Sequence, residues 1–234
     1  MTAMLIVLAK APVPGRAKTR LCPPATPAQA AGVAAAALLD TLDATSAVPA
    51  TPTVVAFTGD LAGAARTREV TAALDRTGLV TQRGPDLGSR IAAAHADAAA
   101  RHPGAMSLQI GMDTPQVDPA LLAQCLDRLA ARGTDAVLGP APDGGWWALG
   151  LRDPAAAAVV ADVPTSRSDT GARTLAALRR NGLRVALLPS LTDVDTVDDA
   201  RAVAALVPGS RFAAAVEPIV TAVEPIVTSR GVAS

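Results

Sequence analysis

SLQIGMDTP, from Ser107 to Pro115, is the stretch whose reading decides the fold. Ser107 to Ile110 is an apolar run of strand length, and Gly111 to Pro115 is a turn. A capped helix start, Asp118-Pro119, follows at once. A strand that hands over to a helix in this way is the unit of a parallel sheet covered by helices. Ligands of such sheets bind outside the carboxyl ends of the strands, so Asp113 stands where a carboxylate oxygen can hold a divalent cation. An Asx turn by Asp-Thr-Pro explains the same residues without a ligand.

Outward from this unit the pattern repeats. Leu5–Ala9, Thr53–Phe57, Leu79–Gln82, Met106–Ile110, Ala136–Gly139, Trp146–Leu151 and Val185–Leu188 read as strands, alternating with Ala- and Leu-rich segments of helical period. Helix starts are expected at Thr26-Pro27, Asp86, Asp118-Pro119 and Asp169. The expected fold is α/β, one domain with a mainly parallel sheet flanked by helices, over residues 1–208. From 209 onward AVEPIVT occurs twice in tandem, at Ala215–Thr221 and Ala222–Thr228. A proline in each copy argues against a continuous helix, so 209–234 is expected to be a tail, with an edge strand in this chain or in a partner as the alternative. A homodimer is compatible with that alternative.

The chain has 234 residues, enough to bury roughly 70–75% of its unfolded surface. Half of it is hydrophobic, 18% is charged and the net charge is zero, so neither disorder nor a nucleic-acid-binding surface is expected. The apolar run Met4–Ala9 is too short for a membrane span, and basic residues follow it rather than precede it. Cys22 and Cys125 match no metal or redox spacing. A cytoplasmic protein that is not membrane-bound, with ordinary buried thiols, is expected. His95 and His102 are expected on helix surfaces rather than in catalysis.

Of the 21 basic side chains only Lys10 and Lys18 are lysines, and both lie in AKAPVPGRAKTR, Ala9–Arg20. Gly15 permits close backbone approach, and Lys10, Arg16, Lys18 and Arg20 supply donors able to surround phosphate oxygens. A lysine follows a moving phosphate charge where arginine prefers a fixed planar fork. The alternative is a solvated basic turn. The loop lacks P-loop spacing, and GxGxxG is absent. In DVDTVDD, Asp193–Asp199, extended chain sends Asp193 and Asp195 to one face, and four carboxylates this close call for a cation or a helix terminus. In GPAPDGGWWALG, Gly139–Gly150, two glycines after Asp143 allow a tight turn, and adjacent tryptophans on a strand face opposite sides. One is expected in the core and the other along an acceptor pocket.

KAPVPGRAKTRL, DLGSRI at Asp86–Ile91, GMDTP, GPAPDGGWWALG and DVDT, in this order, resemble a bacterial family of glycosyltransferase-A-like proteins called DUF2064 or selenodomain-associated transferase 1. The family is similar to MobA-like and phospholactate guanylyltransferase nucleotidyltransferases. The resemblance implies a nucleotide-diphospho-sugar transferase fold and a nucleotide or nucleotide-sugar donor with a small-molecule acceptor. It places nucleotide contacts at Ala9, Lys10, Ala11, Gly15, Arg16, Lys18 and Arg20, and at Asp86, Gly88 and Arg90. It further implies Mg²⁺ or Mn²⁺ on Asp113 with Asp195 or Asp193, catalytic roles for Lys18, Asp113 and Asp143, and acceptor contacts at Asp143, Gly144, Gly145, Trp146, Trp147 and Thr170. Where the family carries tyrosines after the double glycine and a later Trp-Ser-Thr, this chain has Trp146-Trp147 and Ser166-Arg167-Ser168-Asp169-Thr170. Glycosyl transfer from a nucleoside-diphosphate sugar, nucleotidyl transfer from a nucleoside triphosphate, and nucleotide binding without turnover all remain open.

Overall fold

In a computed structural model that describes residues 2–222, the seven strands are β1 (Ala3–Lys10), β2 (Thr53–Thr58), β3 (Gly78–Thr81), β4 (Met106–Gly111), β5 (Ala136–Pro140), β6 (Trp146–Leu151) and β7 (Val185–Leu187). They form one sheet in the order β3-β2-β1-β4-β6-β5-β7. All neighbours are parallel except β6, which runs antiparallel to β4 on one side and β5 on the other. This mixed, mainly parallel sheet is the α/β architecture that the strand–helix alternation predicts.

Both faces are covered, which is why the central strands are apolar throughout rather than alternating. On β1, Leu5 and Val7 face helices α1 (Pro27–Ser46), α2 (Thr67–Leu74) and α4 (Pro119–Ala130), while Met4 and Ile6 face α3 (Leu87–Arg101). A third cluster packs Leu138, Leu149 and Leu151 against α5 (Thr170–Arg180) and a 3₁₀ turn at Pro154–Val160. In α1 the buried side chains are mostly alanines, which let the helix approach the sheet closely. Thr26 opens α1 with a reciprocal capping box to Gln29, and Asp86 and Asp118 cap α3 and α4 by accepting from Ser89 and Leu121 amides. Asp169 precedes α5 as expected but does not cap it. Its carboxylate is taken by Arg173 at 2.7 Å and by Arg167.

Two expectations are corrected. His95 is not on a helix surface: it is fully buried under β4, its Nδ1 sharing a 2.9 Å hydrogen bond with Ser107 Oγ. The tail expectation fails for residues 211–221, which form α7 (Arg211–Thr221) after α6 (Val197–Leu206). Phe212, Val216 and Ile219 fall on one helical face and are buried against α1 and α6. Pro218 sits inside this helix. It removes one amide donor, and that loss is outweighed by the apolar burial and by Arg211, which reaches Asp40 and Asp43 at 3.1 and 2.7 Å. The second AVEPIVT copy lies outside the described residues, apart from Ala222. Cys125 is buried and Cys22 half-buried, both as free thiols. Among the described residues no helix is long and apolar enough to cross a membrane.

Burial pushes His95 down to about 3. The folded state therefore keeps the ring neutral where the unfolded chain, titrating near 6.5, already binds a proton. Stability is complete above that unfolded value and is lost as pH falls toward the folded one. Between pH 7 and pH 5 wild type is expected to lose about 2 kcal/mol relative to His95→Asn, measured by urea unfolding. A pH-independent difference would show that the ring protonates without opening the core.

Candidate active site

A cleft of about 700 Å³ lies at the carboxyl edge of the sheet, where several segments meet. The loop after β1 supplies Lys10, Arg16, Lys18 and Arg20, and the loop after β4 supplies Met112 and Asp113. Asp143 and Gly145 come from the β5–β6 turn, and Trp146 and Trp147 from the start of β6. Thr165 to Ser168 and Thr170 form a wall before α5, and Asp193 and Asp195 come from the segment before α6.

Lys18 is the junction. Its backbone holds a left-handed conformation, φ 51°, and its side chain is only 7% exposed. The ammonium lies 2.7 Å from Asp113 Oδ1 and 3.6 Å from Asp195 Oδ1 and donates to the Val194 carbonyl. Val194 N–H donates to the Asp113 carbonyl at 3.0 Å, stitching the acidic segment to the loop after β4. Gln116 donates to Thr192 at 2.7 Å and strengthens that seam. Arg20, largely exposed, holds Asp195 Oδ2 at 2.9 Å. Thr196 caps α6 in a reciprocal box with Asp199, so the later acidic residues of DVDTVDD serve the helix and Asp193 and Asp195 serve the cleft.

Burial drives the Asp193 carboxyl up to about 7, and the charge of Asp113 adds to it, against an opposing effect of Lys18. Asp143 and Asp195 push the same way. Burial is the larger cause, and the neighbouring carboxylates add like-charge repulsion to it. Among the described residues no group of three or more His, Cys, Asp or Glu could hold a metal ion by itself. The donor set instead fits Mg²⁺ or Mn²⁺ held by one or two carboxylates and completed by substrate phosphates. Asp113 and Asp195, already gathered around a single cation, would hold it, with Asp193 beside them.

Lys10 and Arg16, by contrast, make no carboxylate ion pair among the described residues, and Arg90 is coupled to a carboxylate only through the charge of Asp86. Arg90 donates only to the Gly84 carbonyl at 3.1 Å. Lys10 and Arg16 face the cleft without a carboxylate ion pair among the described residues, and Arg90 faces it with the charge of Asp86 nearby.

On the other side Asp143 Oδ1 accepts from Gly145 N–H at 2.8 Å. Trp147 is buried, and its indole N–H donates to the Pro189 carbonyl at 2.9 Å, while Trp146 is half-buried along the cleft. The alternation of the strand thus buries Trp147 and leaves Trp146 half-buried, while both touch the cleft.

Not every predicted contact lines the cleft. Ala11 is buried against Gly59, and Gly15, at φ +76°, shapes the turn. The Asp86 carboxylate, its pKa lowered first by the Ser89 amide, is a helix cap. Gly88 lets α3 approach the Pro154–Val160 turn, where an added Cβ would stand 2.6 Å from the Val160 carbonyl oxygen. Gly144 likewise touches the backbone of Ser168. These residues support the site rather than face it. Conversely, Gln82, Gln109, Thr58 and Arg167 line the cleft without having been singled out as contacts. Gln82 directly follows β3, and Gln109 lies inside the apolar stretch that opened the reading, so strand-end position was the signal that could have found the first.

The fold and cleft define the chain as having the nucleotide-diphospho-sugar transferase architecture. It belongs to the family described as uncharacterized proteins conserved in bacteria, DUF2064, whose profile matches residues 41–167. A protein from Desulfovibrio desulfuricans G20, provisionally described as a nucleotide-diphospho-sugar transferase, superposes with a TM-score of 0.79 at 26% identity, over 94% of this chain and 99% of that one. A 4-diphosphocytidyl-2C-methyl-D-erythritol synthase shares the fold at 13% identity and TM-score 0.58, over 88% and 99%. A CMP:2-keto-3-deoxy-manno-octonic acid synthetase in complex with CTP does so at 13% and 0.56, over 88% and 98%. No curated protein matches the chain.

Proposed function

We propose that the protein is a metal-dependent transferase using a nucleotide-activated donor, and that it moves a glycosyl group from a nucleoside-diphosphate sugar to a small-molecule acceptor. The observation that carries this reading is the convergence of the basic first loop, the paired carboxylates Asp113 and Asp195, and the Asp143–Trp147 turn on one cleft. The bound cation would neutralise charge developing on the diphosphate. Lys10, Arg16 and Arg90 bind the phosphate oxygens, and Trp146 offers an apolar face on which a sugar ring stacks. An acceptor hydroxyl attacks the anomeric carbon, the bond to the diphosphate breaks, and the nucleoside diphosphate departs. Asp143, oriented by the Gly145 amide, takes the acceptor proton. Positioning and charge stabilisation make up most of the protein's work in such a step.

One observation favours the second reading, nucleotidyl transfer. Lys10 and Arg16, without carboxylate ion pairs among the described residues, together with Arg90 suit a triphosphate donor, from which a phosphorylated acceptor would displace pyrophosphate. Supplying nucleoside triphosphates and nucleoside-diphosphate sugars separately with Mg²⁺ or Mn²⁺ separates the two. Release of nucleoside diphosphate with a glycosylated acceptor supports the first reading, and pyrophosphate release supports the second. Nucleotide binding with neither product, under either metal, would leave a binding module and refute both.

A further inference from the structure

We propose that Lys18 is the resident cation of the acidic cluster in the ligand-free protein. On this view its ammonium occupies the place of the divalent ion and must leave before the metal enters. The proposal rests on Asp113 and Asp195 being metal-contacting residues.

Three features lead to it. The ammonium donates one hydrogen bond, to the Val194 carbonyl, and forms ion pairs with Asp113 Oδ1 at 2.7 Å and, more loosely, with Asp195 Oδ1 at 3.6 Å. A compact ammonium acts as a point charge between these groups, where a guanidinium would present a planar fork. The Lys18 side chain is 7% exposed, whereas Asp113 and Asp195 are 38% and 43% exposed, so the ammonium is enclosed while the carboxylates stay open to the cleft and to a competing cation. The Lys18 backbone holds φ 51°, a conformation unfavourable for a residue with a side chain, and it directs the stem inward.

An ammonium counter-ion at this spot opposes divalent metal binding until something else attracts it. Incoming phosphate oxygens do so, because Lys10 and Arg16 of the same loop already draw them into the cleft. Lys18 is thereby a positioning residue. It keeps the carboxylates together in the empty protein and makes tight metal binding conditional on the donor.

The test uses the full chain and MnCl₂ alone, without nucleotide. Lys18→Met is expected to bind Mn²⁺ at least about tenfold more tightly than wild type, since one nearby positive charge has gone. Its melting temperature should fall in EDTA and recover with Mn²⁺, a rescue that a lysine serving only the fold would not show. Wild type gives an independent readout, because the chain has only two lysines. Acetylation of Lys18, measured against Lys10 by mass spectrometry, should rise when Mn²⁺ is added. Mn²⁺ affinity unchanged or weaker in Lys18→Met, with wild-type binding still abolished by Asp113→Asn, overturns the proposal and leaves the metal reading standing. No Mn²⁺ binding by either protein overturns both. Should Lys18→Met fail to fold, the acetylation ratio in wild type decides, and a ratio insensitive to saturating Mn²⁺ is fatal.

Discussion

Asp113→Asn is expected to lower metal-dependent transfer at least about a hundredfold while leaving the protein folded, the range seen when a charge-stabilising group is removed from a transfer site. The substitution keeps the shape of the side chain and removes only its charge. Asp113 stays bound to the segment before α6 through its backbone carbonyl, which accepts from Val194 N–H whatever the side chain is. The lost ion pair with Lys18 costs stability, because the ammonium is nearly buried. That cost is offset in part. Asp195 and the Val194 carbonyl still hold Lys18, and Asp193 loses the like charge that contributes most, after burial, to its raised pKa. A net change within about 2 kcal/mol follows. Steady-state turnover with Mn²⁺, read beside a urea melt, checks both halves. Activity within threefold of wild type would remove Asp113 from the chemistry, and wholesale unfolding would make it structural.

Gly144→Ala is expected to have the largest effect on stability, about 2–4 kcal/mol, because it combines left-handed strain with a backbone collision. Gly144 sits at φ +86°, and a Cβ there would stand 1.8 Å from the Ser168 carbonyl oxygen and 2.5 Å from its carbonyl carbon. Those are main-chain atoms with no rotamer to escape through, so one of the two segments must move. Gly171 N–H donates to the Gly144 carbonyl at 2.7 Å, and that bond would go too, releasing the start of α5 along with Arg167 and Thr170 of the cleft wall. Gly15→Ala is the control. Its φ is also positive, +76°, but an added Cβ meets nothing within 4 Å, so about 1 kcal/mol of backbone strain is all it should cost. If both variants unfold at the same urea concentration, contact between the two walls of the cleft is not what Gly144 provides.

Much of this molecule was legible residue by residue. All seven strands appear near their expected positions, and Thr26, Asp86 and Asp118 cap helices as their types suggest. Asp169 misled because its carboxylate, two residues from Arg167 and four from Arg173, has a stronger use than capping. Asp86, Gly88 and Gly144 misled differently. Each lies in a motif that approaches the cleft, yet motif membership cannot say which side of the backbone a residue serves. The basic loop was read as one phosphate-binding group, whereas Lys18 and Arg20 turn to carboxylates and only Lys10 and Arg16 make no ion pair among the described residues.

The amino-acid order by itself determined the elements and their ends, because helix and strand periods and caps are set by covalent geometry within a few residues. It also determined that carboxylates and cations would gather at strand ends. Only the tertiary structure decided that β6 enters antiparallel between β4 and β5, that His95 is buried, and that α7 packs over α1 in spite of Pro218. It alone placed the ammonium of Lys18 between Asp113 and Asp195. Those outcomes depend on burial and charge supplied by residues far along the chain, and no local periodicity carries that information.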